Sequence, residues 1–425
     1  MTGLATENTL IRNAADVETF ARRCFLGSPG DRVGVELEFL VFDRTDPARQ
    51  VPPARITDAL PPLPGGSLVT YEPGGQLELS GPPGSLPKAI ALLSADVNAV
   101  RRALRDAGLV LGGVGLDPLR PPRRQLRLPR YEVMARFLGT PYGALMMCST
   151  ASVQVNLDLG DRPAARWERA HLLGPVLVAA FANSPLSEGR PCGWMSGRQA
   201  VWERLDRTRT AAVPVSRDPG AAWTDYLLDA RLMAVRDTDR DTGGDGEDGE
   251  DGEDTESYRP VLDGSTFRDR LASPEHPPTL ADLSYHATTL FPPVRPRGWL
   301  EIRYLDAQHP AIWPVCAAVT HALVTDDRAA DAALAAAGPC AGMWASAARH
   351  GLAEPRLRRA ADVCFRAALG ALPRLRATPA LVCEVAAFAD RHVTPGRSPA
   401  ADLLDLVTGS AERLPGWLAE EGQTR

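Results

Sequence analysis

Short segments in which apolar and polar residues alternate recur along the first part of the chain and again near residue 300. Successive side chains of a β-strand point to opposite faces of the sheet, so alternation predicts strands with one buried face. The strands are predicted at about 33–42, 67–80, 108–116, 147–159 and 297–305. Apolar residues at helical spacing predict helices at about 14–26, 86–107, 163–182 and 221–235.

The connectors between these segments are rich in turn-forming residues, which fits an antiparallel sheet with helices packed on one side better than repeating βαβ units. From about residue 308 the chain is rich in alanine and reads as helices broken at prolines. We therefore predict an α+β fold in which residues 1–425 form a single domain with a helical C-terminal portion.

Glutamates occupy the polar face of several predicted strands. Glu36 and Glu38 share one face of RVGVELEFLVFD, Glu72 and Glu78 stand in VTYEPGGQLELSG, and Glu301 stands in GWLEIRYLD. Neighbouring carboxylates raise one another's pKa unless a cation lies between them, and Mg²⁺ prefers oxygen ligands. We interpret these glutamates as metal ligands. The alternative for any one segment is an ordinary solvated strand face.

Two further stretches carry polar groups that could bind a ligand. Gln154 and Asn156 alternate with apolar residues in SVQVNLDL, so they share a strand face. A loop rich in small residues, ANSPLSEGRPCGW, leads to Arg198 and then to Arg209. Such loops often carry binding residues. The alternative is a solvated strand and a surface turn with incidental arginines.

The composition excludes several classes of function. Lys88 is the only lysine and Ala89 follows it, so the chain has no phosphate-binding P-loop, which needs lysine followed by Ser or Thr. Seven cysteines without a C-x-x-C pair predict reduced thiols rather than a zinc site. The absence of a basic patch interleaved with aromatic residues argues against nucleic-acid binding.

Charge and hydropathy add two expectations. Residues 237–256 hold eleven acids, one arginine and five glycines, which predicts a disordered acidic insertion. This segment contributes −10 to the formal net charge of −6, so the remaining chain carries +4. A positive net charge suits an anionic substrate. No apolar run could span a membrane and no signal peptide is evident, so we expect a cytoplasmic protein without a membrane partner.

Together these motifs resemble the plant-type glutamate–cysteine ligase family, within the glutamine-synthetase-like superfamily of ATP-dependent carboxylate–amine ligases. The matching segments run in family order through residues 34–308: GVELEFLVFD, YEPGGQLELSG, RYEVMARFL, SVQVNLDL, ANSPLSEGRPCGW, DRTRT and GWLEIRYLDAQ. The composition, rich in arginine and alanine, is similar to that of the bacterial ligases that open ergothioneine synthesis with γ-glutamylcysteine.

The resemblance implies a curved, funnel-shaped sheet that binds Mg²⁺ and ATP and joins glutamate to cysteine through a γ-glutamyl phosphate. By motif, the implied metal ligands are Glu36, Glu38, Glu72, Glu78, Gln154 and Glu301. The implied substrate-binding residues are Arg130, Arg136, Asn156, Arg198, Arg209 and Arg303. Of these, Arg209 and Arg303 are the candidate catalytic residues.

Two alternatives remain open at this point. The motifs that indicate ATP and glutamate binding do not identify the second substrate. The chain could therefore be a γ-glutamyl ligase for another amine. A non-catalytic metabolite-binding relative is the other alternative, although loss of the glutamates would mark such a protein and all of them are present. We make no prediction of oligomeric state.

Overall fold

A computed structural model describes residues 7–236, 258–273, 277–410 and 412–420. The predicted disordered insertion at 237–256 lies outside the described residues. The strands are β1 (Val33–Asp43), β2 (Leu68–Tyr71), β3 (Leu77–Ser80), β4 (Leu109–Gly112), β5 (Ser152–Leu157), β6 (Leu186–Ser187), β7 (Arg190–Pro191), β8 (Ala234–Arg236), β9 (Tyr258–Pro260), β10 (Val294–Pro296) and β11 (Leu300–Asp306).

The α-helices are α1 (Ala14–Arg23), α2 (Pro53–Ala59), α3 (Leu86–Asp106), α4 (Pro129–Leu138), α5 (Ala144–Ser149), α6 (Pro163–Leu172), α7 (Gly174–Phe181), α8 (Gly197–Trp202), α9 (Arg207–Thr210), α10 (Pro219–Asp229), α11 (Phe267–Ala272), α12 (Leu280–Thr288), α13 (Trp313–Thr325), α14 (Asp327–Ala337), α15 (Trp344–His350), α16 (Pro355–Ala371), α17 (Pro379–Phe388), α18 (Pro399–Gly409) and α19 (Arg413–Ala419). Beyond β11 the described chain forms only helices. No described helix is both long and apolar enough to cross a membrane.

The main sheet has seven strands in the order β10-β11-β5-β1-β3-β2, with β4 paired to the far half of β1. Every pairing in it is antiparallel. Strand β1 lies at the centre because its first half pairs with β3 and β5 and its second half pairs with β4. The predicted α+β fold with an antiparallel sheet is confirmed.

The two faces of this sheet differ as the alternation predicted. Val35, Leu37 and Phe39 lie in the main hydrophobic cluster, which also contains residues of α3 and α13. Burial of such side chains stabilises the fold by roughly 1.5–3 kcal/mol each. Glu36 and Glu38 face the other way, into a cavity. Helices were expected on one side only, but α4, α5 and α8 also cover part of this polar face.

Strand β5 is shorter than predicted. The chain from Ala144 to Ser149 forms α5, and the strand begins at Ser152. The residues of α5 form an apolar run without alternation, and such a run cannot be assigned to helix or strand from its pattern alone. This difference matters for the cavity, because Met146 and Met147 of α5 lie in its wall.

Candidate active site

The polar face of the main sheet forms the floor of a cavity of about 320 Å³. Side chains from five strands line the floor: Glu36, Glu38, Glu78, Gln154, Arg295, Glu301 and Arg303. Helices α4, α5 and α8 form the roof, with the side chains of Arg130, Tyr131, Met134, Met146, Met147, Arg198 and Trp202. The cavity therefore combines charged groups on the sheet with a cover of apolar side chains and two arginines, an arrangement suited to a ligand site.

The turn between β2 and β3 brings Glu72 to this cavity. The Glu72 amide donates to the Gln76 carbonyl at 3.0 Å, and the Gly75 amide donates to the Glu72 carbonyl at 2.7 Å. Gly75 has a φ of 86°, in the left-handed region that favours glycine. A Cβ atom at Gly74 would lie 2.4 Å from the carbonyl oxygen of Cys148. Both glycines are therefore needed for the turn.

Glu38, Glu72 and Glu78 form what we call the acid cluster. Carboxylate oxygens of all three lie within 4.8 Å of one another, and Glu38 stands directly opposite Glu78 in the sheet. Burial, together with Glu38 and Glu78, raises the pKa of Glu72 to about 8. Burial also raises the pKa values of Glu38 and Glu78. A divalent cation would remove this repulsion, so the cluster fits Mg²⁺.

Glu301 lies in a different environment on the same floor. Arg295 holds it through two hydrogen bonds, Nε to Oε2 at 2.5 Å and Nη2 to Oε1 at 3.1 Å. Arg303 Nη1 lies 3.2 Å from Glu301 Oε1. Burial acts to raise the Glu301 pKa, but Arg295 and Arg303 outweigh it and lower the pKa to about 2. We call Glu301, Arg295, Arg303 and Arg198 the arginine cluster.

Gln154 connects the two clusters. It accepts a hydrogen bond from Arg303 Nη1 at 2.6 Å and donates one to Glu38 Oε1 at 2.9 Å. Arg303 lies where the register between β11 and β5 shifts, and such bulges redirect a side chain. Gln154 and Glu301 thus both accept hydrogen bonds from arginines, and their role as metal ligands stays a prediction.

Arg198 is buried and only partly hydrogen-bonded. Its Nη2 donates to the Arg303 carbonyl at 2.8 Å, whereas its Nε and Nη1 have no partner. Unpaired buried donors are costly, which favours an anionic ligand here. The preceding loop is anchored by Asp306, which accepts hydrogen bonds from the Ser184 and Ser196 hydroxyls at 2.7 and 2.8 Å. The ANSPLSEGRPCGW loop therefore positions Arg198 rather than supplying ligands itself.

The remaining predicted residues are divided between the cavity and other regions. Arg130 lines the roof, with its Nε unpaired. Glu36 lines the floor and accepts a hydrogen bond at 2.8 Å from Asn156, which is not among the lining residues. Arg136 is exposed in the last turn of α4 and does not line the cavity, so its substrate-binding role stays a prediction that the geometry does not support.

Arg209 does not line the cavity either. It is completely buried outside the cavity, where Nη1 donates to the Thr289 carbonyl at 2.7 Å and Nη2 to the Arg231 carbonyl at 2.6 Å. The ring of Phe137 lies 4.4 Å from its guanidinium carbon. Arg209 therefore joins three segments of the chain, and its geometry gives no support to a catalytic or substrate-binding role.

Sequence reasoning missed two charged residues, Arg295 and Arg297, and the apolar wall. Arg295 stands directly opposite Glu301 in the β10–β11 hairpin. The turn signal around Gly298 could have suggested this pairing. Trp202 and Phe291 line the cavity from a helix and a loop. Their sequence pattern carries no comparable signal, because tertiary packing alone brings them to the sheet.

An antiparallel sheet whose polar face holds a carboxylate cluster beside an arginine cluster defines a class of site suited to polyanionic substrates and a divalent cation. The particular family follows from comparison: the chain matches the model of "Glutamate-cysteine ligase family 2 (GCS2)" over residues 32–418. The protein belongs to this family, which confirms the resemblance found in its motifs.

The similar proteins found by sequence comparison are also glutamate–cysteine ligases. The chain is 41% identical to glutamate–cysteine ligase EgtA of Mycobacterium tuberculosis, over 96% of this chain and 93% of that protein. It is 43% identical to the EgtA ligase of Mycolicibacterium smegmatis, over 89% of this chain and 88% of that protein. The chloroplastic glutamate–cysteine ligase of Medicago truncatula is 33% identical, over 57% of this chain and 47% of the plant protein.

Two solved structures share the fold. A glutamate–cysteine ligase from Francisella tularensis, described in complex with AMP, has a TM-score of 0.52 at 12% identity, over 93% of this chain and 89% of that one. A bifunctional glutathione synthetase from Pasteurella multocida has a TM-score of 0.54 at 14% identity, over 96% of this chain and 54% of that one. The fold of this chain is therefore that of the glutamate–cysteine ligases.

Proposed function

We propose that this protein uses ATP to join the γ-carboxylate of L-glutamate to the amine of L-cysteine, and that its product, γ-glutamylcysteine, enters ergothioneine synthesis. The observation that carries the proposal is the meeting of the acid cluster and the arginine cluster on one sheet face, in a member of the glutamate–cysteine ligase family. ATP and free amino acids are cytoplasmic pools, so we place the reaction in the cytoplasm.

The reaction needs activation because a carboxylate is a poor electrophile. A γ-carboxylate oxygen of glutamate attacks the γ-phosphorus of ATP, ADP leaves, and a γ-glutamyl phosphate forms. The deprotonated amine of cysteine then attacks the acyl carbon, and inorganic phosphate leaves with the bonding electrons. Such phosphoryl transfer depends on positioning and charge neutralisation rather than on a protein nucleophile.

The two clusters divide these tasks. Glu38, Glu72 and Glu78 would hold Mg²⁺, which supplies positive charge to the phosphate oxygens. Arg303 has both Gln154 and Glu301 as partners, so its planar fork is held at the cavity floor. The unpaired donors of Arg198 are available to a carboxylate or a phosphoryl group.

Apolar side chains provide the rest of the binding surface. Met134, Trp202 and Phe291 line the cavity. We propose that this wall covers the nucleoside of ATP and excludes water from the acyl phosphate, which would otherwise hydrolyse. No cysteine thiol of the protein lines the cavity among the residues that the structure describes.

The test is a reaction panel. Purified protein with ATP, Mg²⁺ and L-glutamate is offered cysteine and a series of other amines, and both phosphate release and product mass are measured. The proposal predicts a γ-glutamylcysteine mass with cysteine as the preferred acceptor. Preference for a different amine would identify another γ-glutamyl ligase, and release of no phosphate with any amine would contradict ligase activity.

A further inference from the structure

The turn that carries Glu72 is held by hydrogen bonds from a segment outside every motif described above. This segment, residues 124–126, is here called the strap. The main-chain amides of Gln125 and Leu126 both donate to the Pro73 carbonyl, at 2.8 and 3.0 Å. The Pro73 carbonyl is therefore fixed by two donors from one neighbouring segment.

Side-chain amides hold the next carbonyl. Gln125 Nε2 donates to the Gly74 carbonyl at 2.7 Å, and Gln50 Nε2 donates to the same oxygen at 3.2 Å. A Cβ atom at Gly75 would lie 2.4 Å from Gln125 Nε2. The glycine thus lets the Gln125 amide approach the turn closely, and Gln125 makes the shorter of the two bonds.

The turn has only a small space beside it. A small cavity of about 10 Å³ lies between Gln50, Gln125 and the two glycines of the turn. Without the Gln125 side-chain amide, the Gly74 carbonyl would keep only the longer hydrogen bond from Gln50, so the turn would be held less firmly. Because the Glu72 amide and carbonyl both form hydrogen bonds within this turn, the position of its carboxylate depends on that hold.

The strap also reaches the roof of the cavity. Arg124 Nη1 donates to the Tyr131 carbonyl at 3.0 Å, and its Nη2 donates to both carboxylate oxygens of Glu132 at 2.8 Å. Tyr131 itself lines the cavity. One short segment therefore fixes the Glu72 turn relative to the first turn of α4.

We infer that Gln125 is a positioning residue that holds the Glu72 carboxylate within the acid cluster. The inference rests on the proposed metal role of that cluster. Partners of this kind, which orient a ligand without touching the metal, typically change metal affinity by about 10- to 100-fold when they are removed. Gln125 would act through Glu72 and would not contact the substrate.

The test is the binding of Mn²⁺ alone to the full chain, measured by calorimetry without nucleotide or amino acid. Gln125→Met keeps the side-chain length and removes both amide donors, and it should weaken Mn²⁺ binding by about tenfold. Gln50→Met should weaken it by about twofold, because the shorter bond from Gln125 remains. Gln125→Asn, which keeps the amide but shortens its reach, gives a second measurement if Gln125→Met does not fold.

Arg169→Met is the control for a purely structural role. Arg169 is buried between helices and donates to the Val324 carbonyl at 3.0 Å, remote from the acid cluster. This variant should lower the melting temperature and leave the Mn²⁺ affinity unchanged. A Gln125 variant that melts earlier but binds Mn²⁺ within about twofold of the wild type would overturn the inference.

The same measurement separates this inference from the proposed function. If the wild type makes γ-glutamylcysteine but does not bind Mn²⁺, the positioning role of Gln125 is contradicted and the ligase function stands. If the wild type binds Mn²⁺, Gln125→Met weakens that binding, and no γ-glutamyl product forms with any amine, the positioning role stands and the proposed function fails.

Discussion

Glu72 and Glu301 line the same cavity, yet their surroundings have opposite effects on their charge. Buried beside Glu38 and Glu78, Glu72 has a pKa raised to about 8. Glu301 is also buried, but Arg295 and Arg303 lower its pKa to about 2. The Glu72 shift comes from burial and two neighbouring carboxylates, whereas Glu301 is paired with Arg295. We therefore propose that a metal ion binds at the acid cluster and that Glu301 orients the arginines.

Removing the charge of Glu301 from the arginine cluster is expected to have the largest effect on stability. Glu301→Gln keeps the size of the side chain but leaves Arg295 buried without a counter-charge, and breaking such a pair costs about 3 kcal/mol. Urea unfolding should show a lower free energy of unfolding by about that amount. Unchanged unfolding would mean that the ion pair contributes no net stability.

Loss of one carboxylate from the acid cluster should affect turnover more than stability. We expect Glu72→Gln to lower kcat/KM by at least about 100-fold, because it removes charge from the group that would hold the metal. Glu18→Gln removes the same charge from an exposed helix and serves as the control. Activity near that of the wild type in Glu72→Gln would remove the acid cluster from the mechanism.

A smaller effect is expected for the geometry of Arg303. Arg303→Lys keeps the positive charge and loses the planar fork, so kcat/KM for glutamate or ATP should fall by about tenfold, equivalent to roughly 1.4 kcal/mol. Arg136→Lys, on the exposed side of α4, is the matched control and should change neither constant. Equal constants for Arg303→Lys and the wild type would place Arg303 outside the binding site.

A separate effect concerns pH and the metal-free protein. The pKa of Glu72 is about 8 in the folded protein and roughly 4.3 in an unfolded chain. Its stabilising contribution is therefore complete below the unfolded value and is lost as pH rises through about 8. The melting temperature of Glu72→Gln relative to wild type should rise between pH 5 and pH 9. A constant difference would contradict the raised pKa.

Much of this comparison could be predicted from local sequence. The alternation in β1 placed Glu36 and Glu38 on the face opposite Val35 and Leu37, and the structure has this arrangement. The period of a strand is two regardless of its neighbours, so such predictions need no tertiary information. The glycines of the Glu72 turn are a second example, since a left-handed φ and a close contact are local requirements.

The partners of each charge were not predictable in this way. Gln154 and Glu301 share the polar face with the other candidates, but Arg303 and Arg295 occupy their oxygens. Arg209 stands in a motif but points away from the cavity, towards carbonyl groups of other segments. The pairing of charged side chains depends on strand order and helix packing. A pattern along the chain does not contain that information.

Metal binding to variants of the two clusters tests the central claim most directly. Titration of Mn²⁺ into wild type, Glu72→Gln and Glu301→Gln, under conditions in which all three are folded, compares the clusters in one experiment. The account predicts that Glu72→Gln loses at least about 100-fold in affinity and that Glu301→Gln stays within about threefold of the wild type. Equal losses in the two variants would contradict it, because both carboxylates would then belong to one metal site.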